Sequence, residues 1–284
     1  MAAPREGSSL YYSLLWTTPE RRLRLLNRLT MIDAIATTLH DVQEPAVAER
    51  KIHWWHEELD RLAKSEARHP ALQACQQGLA DTSVITQPAV DILSVAASNR
   101  FTPADTNEEA SQRMQLDYTA RLILVAHALN DDDALFDRDR RRLTPLALAV
   151  GRYDRLARLP FLLSSGYTVF SAERYRRHGL TPTQFSEGIG PAIDAAESEA
   201  GKSQQRQALL QEAIAEAHAT FLTARRDIVC QNLLSGSTMQ PLTTLTRLRE
   251  RKIKLWKKRA PDLLRGSMTL TPVHKLVLAW WYRS

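Results

Sequence analysis

Apolar residues recur every three to four positions along most of the chain, which is the spacing of a helix with one buried face. The first three such stretches each open near a proline, a residue that costs no hydrogen bond in the first turn of a helix. They predict helices at Pro19–Leu39, Pro45–Leu62 and Pro70–Leu79. No run of alternating apolar and polar residues predicts a strand.

The same spacing continues along the rest of the chain. Pro88 and Pro145 are expected to open helices, because a proline in a helix interior removes a backbone hydrogen bond. The pattern predicts further helices at Pro88–Asn99, Thr106–Leu129, Thr144–Arg158, Ala172–His178, Pro182–Ile189, Ile193–Ala200, Ser203–Leu233, Leu242–Lys258 and Val273–Tyr282. With neither a fixed-period repeat nor a long linker, residues 1–284 are predicted to form a single all-α domain.

The composition indicates the charge of possible partners and the cellular environment, but it does not identify a function. The net charge of +6 suits an anionic partner, whether nucleic acid, an anionic membrane surface or a phosphorylated ligand. The two cysteines, Cys75 and Cys230, lack the spacing of a zinc site or redox pair, so a reducing, cytoplasmic setting is expected. Residues 1–16 lack the apolar core of a signal peptide, and no stretch reaches the ~20 apolar residues of a membrane span.

Three blocks in the N-terminal third resemble the squalene/phytoene synthase family. They lie within Ser9–Arg22, Glu44–Leu59 and His69–Ala71, and the most specific part is the pattern Lys-x-x-Trp-Trp-x-x-Glu-Leu that ends at Leu59. A fainter match continues at Gly151 and in Glu173–Leu180. The resemblance implies an isoprenoid-synthase-type helical bundle with a central cavity. Active members of that family join two prenyl diphosphates head to head, with magnesium held by two acid-rich motifs on facing helices.

The positions that correspond to those two motifs carry no carboxylate. The first motif falls on Ala36, Thr37 and His40, and the second on Leu162 and Gly166. Magnesium takes oxygen ligands and is normally held by carboxylates together with substrate phosphates. The sequence therefore predicts a protein without catalytic residues, metal or other cofactor. A mitochondrial complex I assembly factor is similar to the same family, which favours a binding or assembly role with a protein partner.

Other acids could supply displaced metal ligands. Asp33 and Asp41 are eight residues apart, about 12 Å along a helix, and cannot hold one ion by themselves. The segment Asp131–Arg142 carries five aspartates and four arginines and is more typical of a solvated loop. Ligands from such a segment define the alternative function, a magnesium-dependent head-to-head prenyltransferase. A metal site built from His40, Asp41, His53 and His56 is a weaker alternative than packing at the edge of the core.

Two groups of residues are candidates for binding. An apolar or prenyl-type ligand in the cavity is expected to contact Tyr12, Asp33, His40, Tyr118 and Phe161. Eight of the thirteen residues 247–259 are basic, and a tryptophan pair lies near the C-terminal end of the chain. Cations with interfacial aromatics suit peripheral contact at the inner membrane face, through Arg251, Lys254, Trp256, Lys257, Trp280 and Trp281. A solvated basic face is the other interpretation, and nucleic acid is disfavoured because no nucleic-acid-binding motif is present.

Overall fold

A computed structural model describes residues 4–77, 82–130, 136–187, 198–231, 237–258 and 269–281. Within these ranges, residues 136–142, 198–200, 228–231 and 237 are described by their backbone alone. The described residues contain α-helices and one 3-10 helix, and no strand lies among them. The prediction of an all-α fold is therefore confirmed.

The first half of the chain contains α1 (Ser9–Ser13), α2 (Pro19–Ala36), α3 (Pro45–Ala63), α4 (Pro70–Gln76), α5 (Ser83–Phe101) and α6 (Asn107–Leu129). The second half contains α7 (Phe136–Ala157), α8 (Leu159–Ser164), α9 (Ala172–Arg177), α10 (Pro182–Ser186), α11 (Ser198–Gln231), α12 (Gln240–Lys258) and α13 (Pro272–Trp281). Within the described ranges, none of these helices combines the length and the apolar composition that a membrane span requires.

Local chemistry explains where several helices begin. The prolines predicted to open α2, α3 and α4 occupy the first turns of those helices, as expected. The Thr18 side chain accepts a hydrogen bond from the Arg21 backbone N–H, and Thr106 does the same for Glu109. Such caps satisfy donors that the first turn of a helix leaves without partners.

Two predicted helix starts are wrong, because Pro88 and Pro145 lie inside α5 and α7. Each proline removes one backbone donor, yet Ile85 and Ala89 are completely buried on either side of Pro88. Burial of those side chains favours a continuous helix more strongly than the single missing bond opposes it. Likewise, residues 198–231 form one helix where the sequence predicts a break near 201.

The core is organised around α6, which packs against α2, α5 and α7, while α7 also packs against α11. Ile123 belongs to the apolar cluster formed with α7 and α11, and its neighbour Leu124 belongs to the cluster formed with α2, α3 and α5. The α6 helix therefore lies between the two parts of the core and packs against both.

The most distinctive block of the family resemblance has a structural role. On α3, the Trp55 indole N–H donates to Thr38 Oγ1 at 2.7 Å and Lys51 Nζ donates to the Thr38 carbonyl at 3.2 Å. Glu58 accepts hydrogen bonds from the backbone N–H groups of Arg68 at 3.0 Å and His69 at 2.9 Å. These bonds hold the connections that precede and follow α3, so the block positions helices.

Candidate functional site

A partly open cavity of about 110 Å³ lies where α2, α5, α6, α7 and α8 meet. Its wall contains both apolar and charged side chains. The lining residues are Ala36, His40, Ala96, Asn99, Asp117, Tyr118, Arg121, Gly151, Asp154, Arg155, Arg158, Leu162, Tyr167, Thr168 and Val169.

Two of the three positions assigned to the first acidic motif face this cavity. Ala36 and His40, four residues apart, lie in its wall. Thr37 does not, and its hydroxyl instead donates to the Asp33 carbonyl at 2.7 Å. The expectation that Asp33 lines the cavity is wrong, because this side chain is exposed and lies outside the lining. Thr37, next to Ala36, is expected to point about 100° around the helix axis from it.

The two positions assigned to the second motif lie differently with respect to the cavity. Leu162 lines the cavity, but Gly166 follows α8 with φ of +75° and lies outside the lining. Arg158, one helical turn before Leu162, also lines the cavity. Counting in helical steps from Gly151 reaches Arg158 and Leu162 by way of Asp154. Neither assigned position, Leu162 or Gly166, carries a carboxylate.

Two acids of the cavity wall were missed by sequence reasoning, and each is paired with an arginine. Asp117 Oδ1 lies 2.7 Å from Arg121 Nε one turn along α6. Asp154 Oδ1 lies 3.2 Å from an arginine nitrogen of Arg249 on α12. The four-residue spacing of the first pair could have been found in the sequence, whereas the second pair is 95 residues apart.

The cavity residues do not fit a magnesium ion. Among the residues that the structure describes, no three histidine, cysteine or acidic side chains form a group able to hold a metal. Asp117 and Asp154 already neutralise arginines, and Mg²⁺ requires free oxygen ligands in near-octahedral geometry. Asp131–Asp133 lie outside the described residues, and the side chains of Asp137 and Asp139 are not described.

Two arginines give the wall a positive charge. Arg155 donates to the Val169 carbonyl at 3.0 Å, and Arg158 lies with its guanidinium carbon 5.3 Å from the centre of the Phe161 ring. In the described part of the chain, neither forms a salt bridge with a carboxylate. Burial lowers the pKa of Arg155, although an arginine remains charged at neutral pH. The wall therefore offers two cations to an anionic group.

His40, which lines the cavity, packs against two aromatic residues. The His40 ring lies 5.4 Å from Phe161 and 5.3 Å from Tyr167, measured between ring centres. Burial and the nearby charge of Arg158 lower the pKa of His40, so it is neutral at physiological pH. The suggested metal site with His53 does not form around it, because His53 is exposed and contacts Glu57 at 3.1 Å. Phe161 is about half exposed and lies outside the cavity lining.

A second, largely apolar cavity of about 130 Å³ adjoins the first. Tyr118, Arg121 and Asp154 line both cavities and thus form the partition between them. The Arg121 guanidinium lies 4.9 Å from the centre of the Tyr118 ring, and burial raises the Tyr118 pKa. Tyr12 lines neither cavity and packs at 5.3 Å against Tyr11. The remaining walls include Leu25, Leu29, Ile32, Leu122, Val125, Leu129, Val150, Leu242 and Leu245.

The residues suggested for membrane contact divide into two sets. Trp256 is 2% exposed and stacks on Tyr153 at 5.0 Å, so the prediction that it contacts a membrane is wrong. Lys254 is partly buried, and its Nζ lies 2.9 Å from Glu250. The four others, Arg251, Lys257, Trp280 and Trp281, are exposed.

Of the comparisons with known proteins, the one with solved structures gives a match, and it supports the fold described above. No family model matches the sequence, and no curated protein matches it. A crystal structure of a dehydrosqualene synthase in complex with ligand is similar, with a TM-score of 0.72 over 97% of this chain and 90% of that chain. Its sequence is 11% identical, so the likeness concerns the fold. The chain has the all-α, squalene/phytoene synthase-like fold of isoprenoid synthases.

Proposed function

We propose that this protein is a non-catalytic binding protein that holds an amphiphile with an anionic head in its central cavity, without a metal. One observation carries the proposal: Ala36, His40 and Leu162 line the cavity at positions assigned to the two acidic motifs, and none is a carboxylate. Metal-assisted departure of a diphosphate would need oxygen ligands there. The cations Arg155 and Arg158 instead suit direct binding of a phosphate or carboxylate.

The two cavities suit the two ends of such a ligand. The anionic head fits among the arginines of the first cavity, and the chain fits towards the apolar cavity on the other side of Tyr118. Each cavity approaches the ~150 Å³ of an apolar cavity that holds one benzene molecule. Their size therefore favours a short prenyl chain over a long one.

The test is calorimetric titration with geranyl phosphate in the presence of EDTA. We expect binding that magnesium does not strengthen, and weaker binding of geranylgeranyl phosphate. The variant Arg158→Gln should weaken binding about ten- to a hundredfold, because it removes one charge-assisted contact of about 1.5–3 kcal/mol. Arg50→Gln, an exposed position on α3, should leave the affinity unchanged.

The alternative function is a prenyltransferase with displaced metal ligands. It requires diphosphate release from farnesyl or geranylgeranyl diphosphate with magnesium. Turnover abolished by Asp117→Asn or Asp154→Asn, or by alanine at Asp131, Asp132 or Asp133, would replace the proposal with this alternative. Magnesium-dependent binding of the ligand would also contradict the proposal.

A further inference from the structure

The α13 helix exposes an apolar face. Its outward side chains follow the helical spacing of one stripe and are between 45 and 71% exposed. We call this stripe the α13 face, which consists of Val273, Leu276, Val277, Trp280 and Trp281. A stripe at this spacing normally faces the core of a protein, so its exposure marks a surface for another partner.

The opposite side of α13 holds the helix on the protein. Lys275 is buried and its Nζ donates to the Gly7 carbonyl at 2.6 Å, which ties α13 to the segment before α1. Leu278 is buried in a small cluster with Leu248 of α12. The helix is thus docked through its inner side, and the α13 face is its outer side in this structure.

The neighbouring surface is basic. The α12 helix packs against α13, and its exposed residues include Arg251, Lys257 and Lys258. Basic side chains close to an anionic lipid surface are attracted to it, and amphipathic helices insert an apolar face at the headgroup level. Tryptophan is enriched at that level in membrane proteins.

The small size of the α13 face favours a membrane surface over a protein partner as its occupant. A stable protein interface takes roughly 20–30 residues from each partner, which is far more than one stripe on a ten-residue helix. The same stripe is large enough for shallow insertion beside cationic side chains. We propose that the α13 face docks the protein on an anionic membrane surface, with α12 supplying the cations. This inference is independent of the ligand proposed for the cavity.

The experiment is flotation of the full chain with phosphatidylcholine vesicles, with and without phosphatidylserine as about one third of the lipid. We expect binding to the anionic vesicles only, and weaker binding at high salt. Val277→Asp should reduce the bound fraction at least tenfold. Leu23→Asp on α2 is the matched control, because Leu23 is 56% exposed and Val277 is 54% exposed. The control should float as the unchanged protein does.

A second pair of variants tests the charge. Lys257→Glu should weaken binding to anionic vesicles several-fold, whereas Lys64→Glu, an exposed position at the end of α3, should not. Circular dichroism melts verify that all four variants fold. Equal flotation of Val277→Asp and Leu23→Asp would overturn the proposal. It would also be overturned if the protein dimerises in light scattering and Val277→Asp makes it monomeric, because a second copy would then occupy the face.

Discussion

At the residue scale, Glu58 shows how a buried carboxylate can be structural. Its side chain is 1% exposed and accepts hydrogen bonds from the backbone N–H groups of His69 and Arg68 and from the Arg61 guanidinium at 2.6 Å. Burial raises the pKa of Glu58, but these three donors outweigh burial and hold the pKa below its ordinary value of 4.5.

Replacing Glu58 should therefore destabilise the fold. Glu58→Ala leaves buried donors without an acceptor and is expected to lower the free energy of unfolding by about 3 kcal/mol. Glu57→Ala, at the more exposed neighbouring position, should change it by less than about 0.5 kcal/mol. Urea denaturation at neutral pH measures both, and equal effects would contradict the structural role of Glu58.

The same residue predicts a dependence on pH. Because the folded-state pKa is lower than the unfolded one, the stabilisation from ionised Glu58 is complete above pH 4.5 and is lost as the pH falls through the folded-state value. The stability difference between the unchanged protein and Glu58→Gln should shrink between neutral pH and about pH 3.

At the element scale, Gly151 allows α7 to approach α6 closely. A Cβ atom there would lie 2.7 Å from Tyr118 Cδ2 and closer still to Met114. Tyr118 is part of the partition between the two cavities, so this close approach also sets the shape of the candidate site.

Alanine at two helical glycines should have opposite effects. Gly151→Ala is expected to destabilise the protein by about 2 kcal/mol, because a well-packed contact must open. Gly201→Ala in α11 meets no atom within 4 Å and should stabilise by up to about 1 kcal/mol through helix propensity. Thermal denaturation distinguishes the two, and a stabilising Gly151→Ala would show that the helices are further apart than described.

Packing of α12 against α13 produces a second pH dependence. Burial, followed by the charge of Lys275, lowers the pKa of Lys252 to about 8. Between about pH 8 and the ordinary value of 10.5, the Lys252 side chain is therefore deprotonated in the folded protein but still protonated in the unfolded chain. Because the unfolded chain binds more protons there, the free energy of unfolding should rise with pH across that window.

The variant Lys252→Met tests this assignment. It should be more stable than the unchanged protein at neutral pH, and the difference should shrink as the pH rises from about 8 towards 10.5. Chemical denaturation at several pH values measures the difference. A constant difference would show that Lys252 is not held in a buried, protonation-sensitive position.

At the scale of the whole molecule, α12 connects the two proposed binding regions. Its Arg249 pairs with Asp154 in the partition of the cavities, and Leu248 and Lys252 lie towards α13. On the other side of α7, Glu216 of α11 pairs with Arg152 at 2.5 Å and with Arg174 of α9. These pairs join helices far apart in sequence, so the position of α7, which carries much of the cavity wall, is set from both sides.

The sequence by itself determined most helix extents and the absence of acids from residues 155–172. Helix starts such as Pro19 and Thr106 follow from caps and first-turn chemistry, which act within a few residues. The segment Arg155–Ala172 contains no acid, so a shift of one turn in the assignment of the second motif would still find no carboxylate there.

Only the tertiary structure decided which residues meet. The pairing of Asp154 with Arg249, the burial of Trp256 and the exposure of Trp281 depend on helices that are distant in sequence. The continuity of α5 through Pro88 has the same origin, since burial against other helices outweighs a local preference. Local rules act over one or two turns, whereas cavities and exposed faces form when the chain packs against itself.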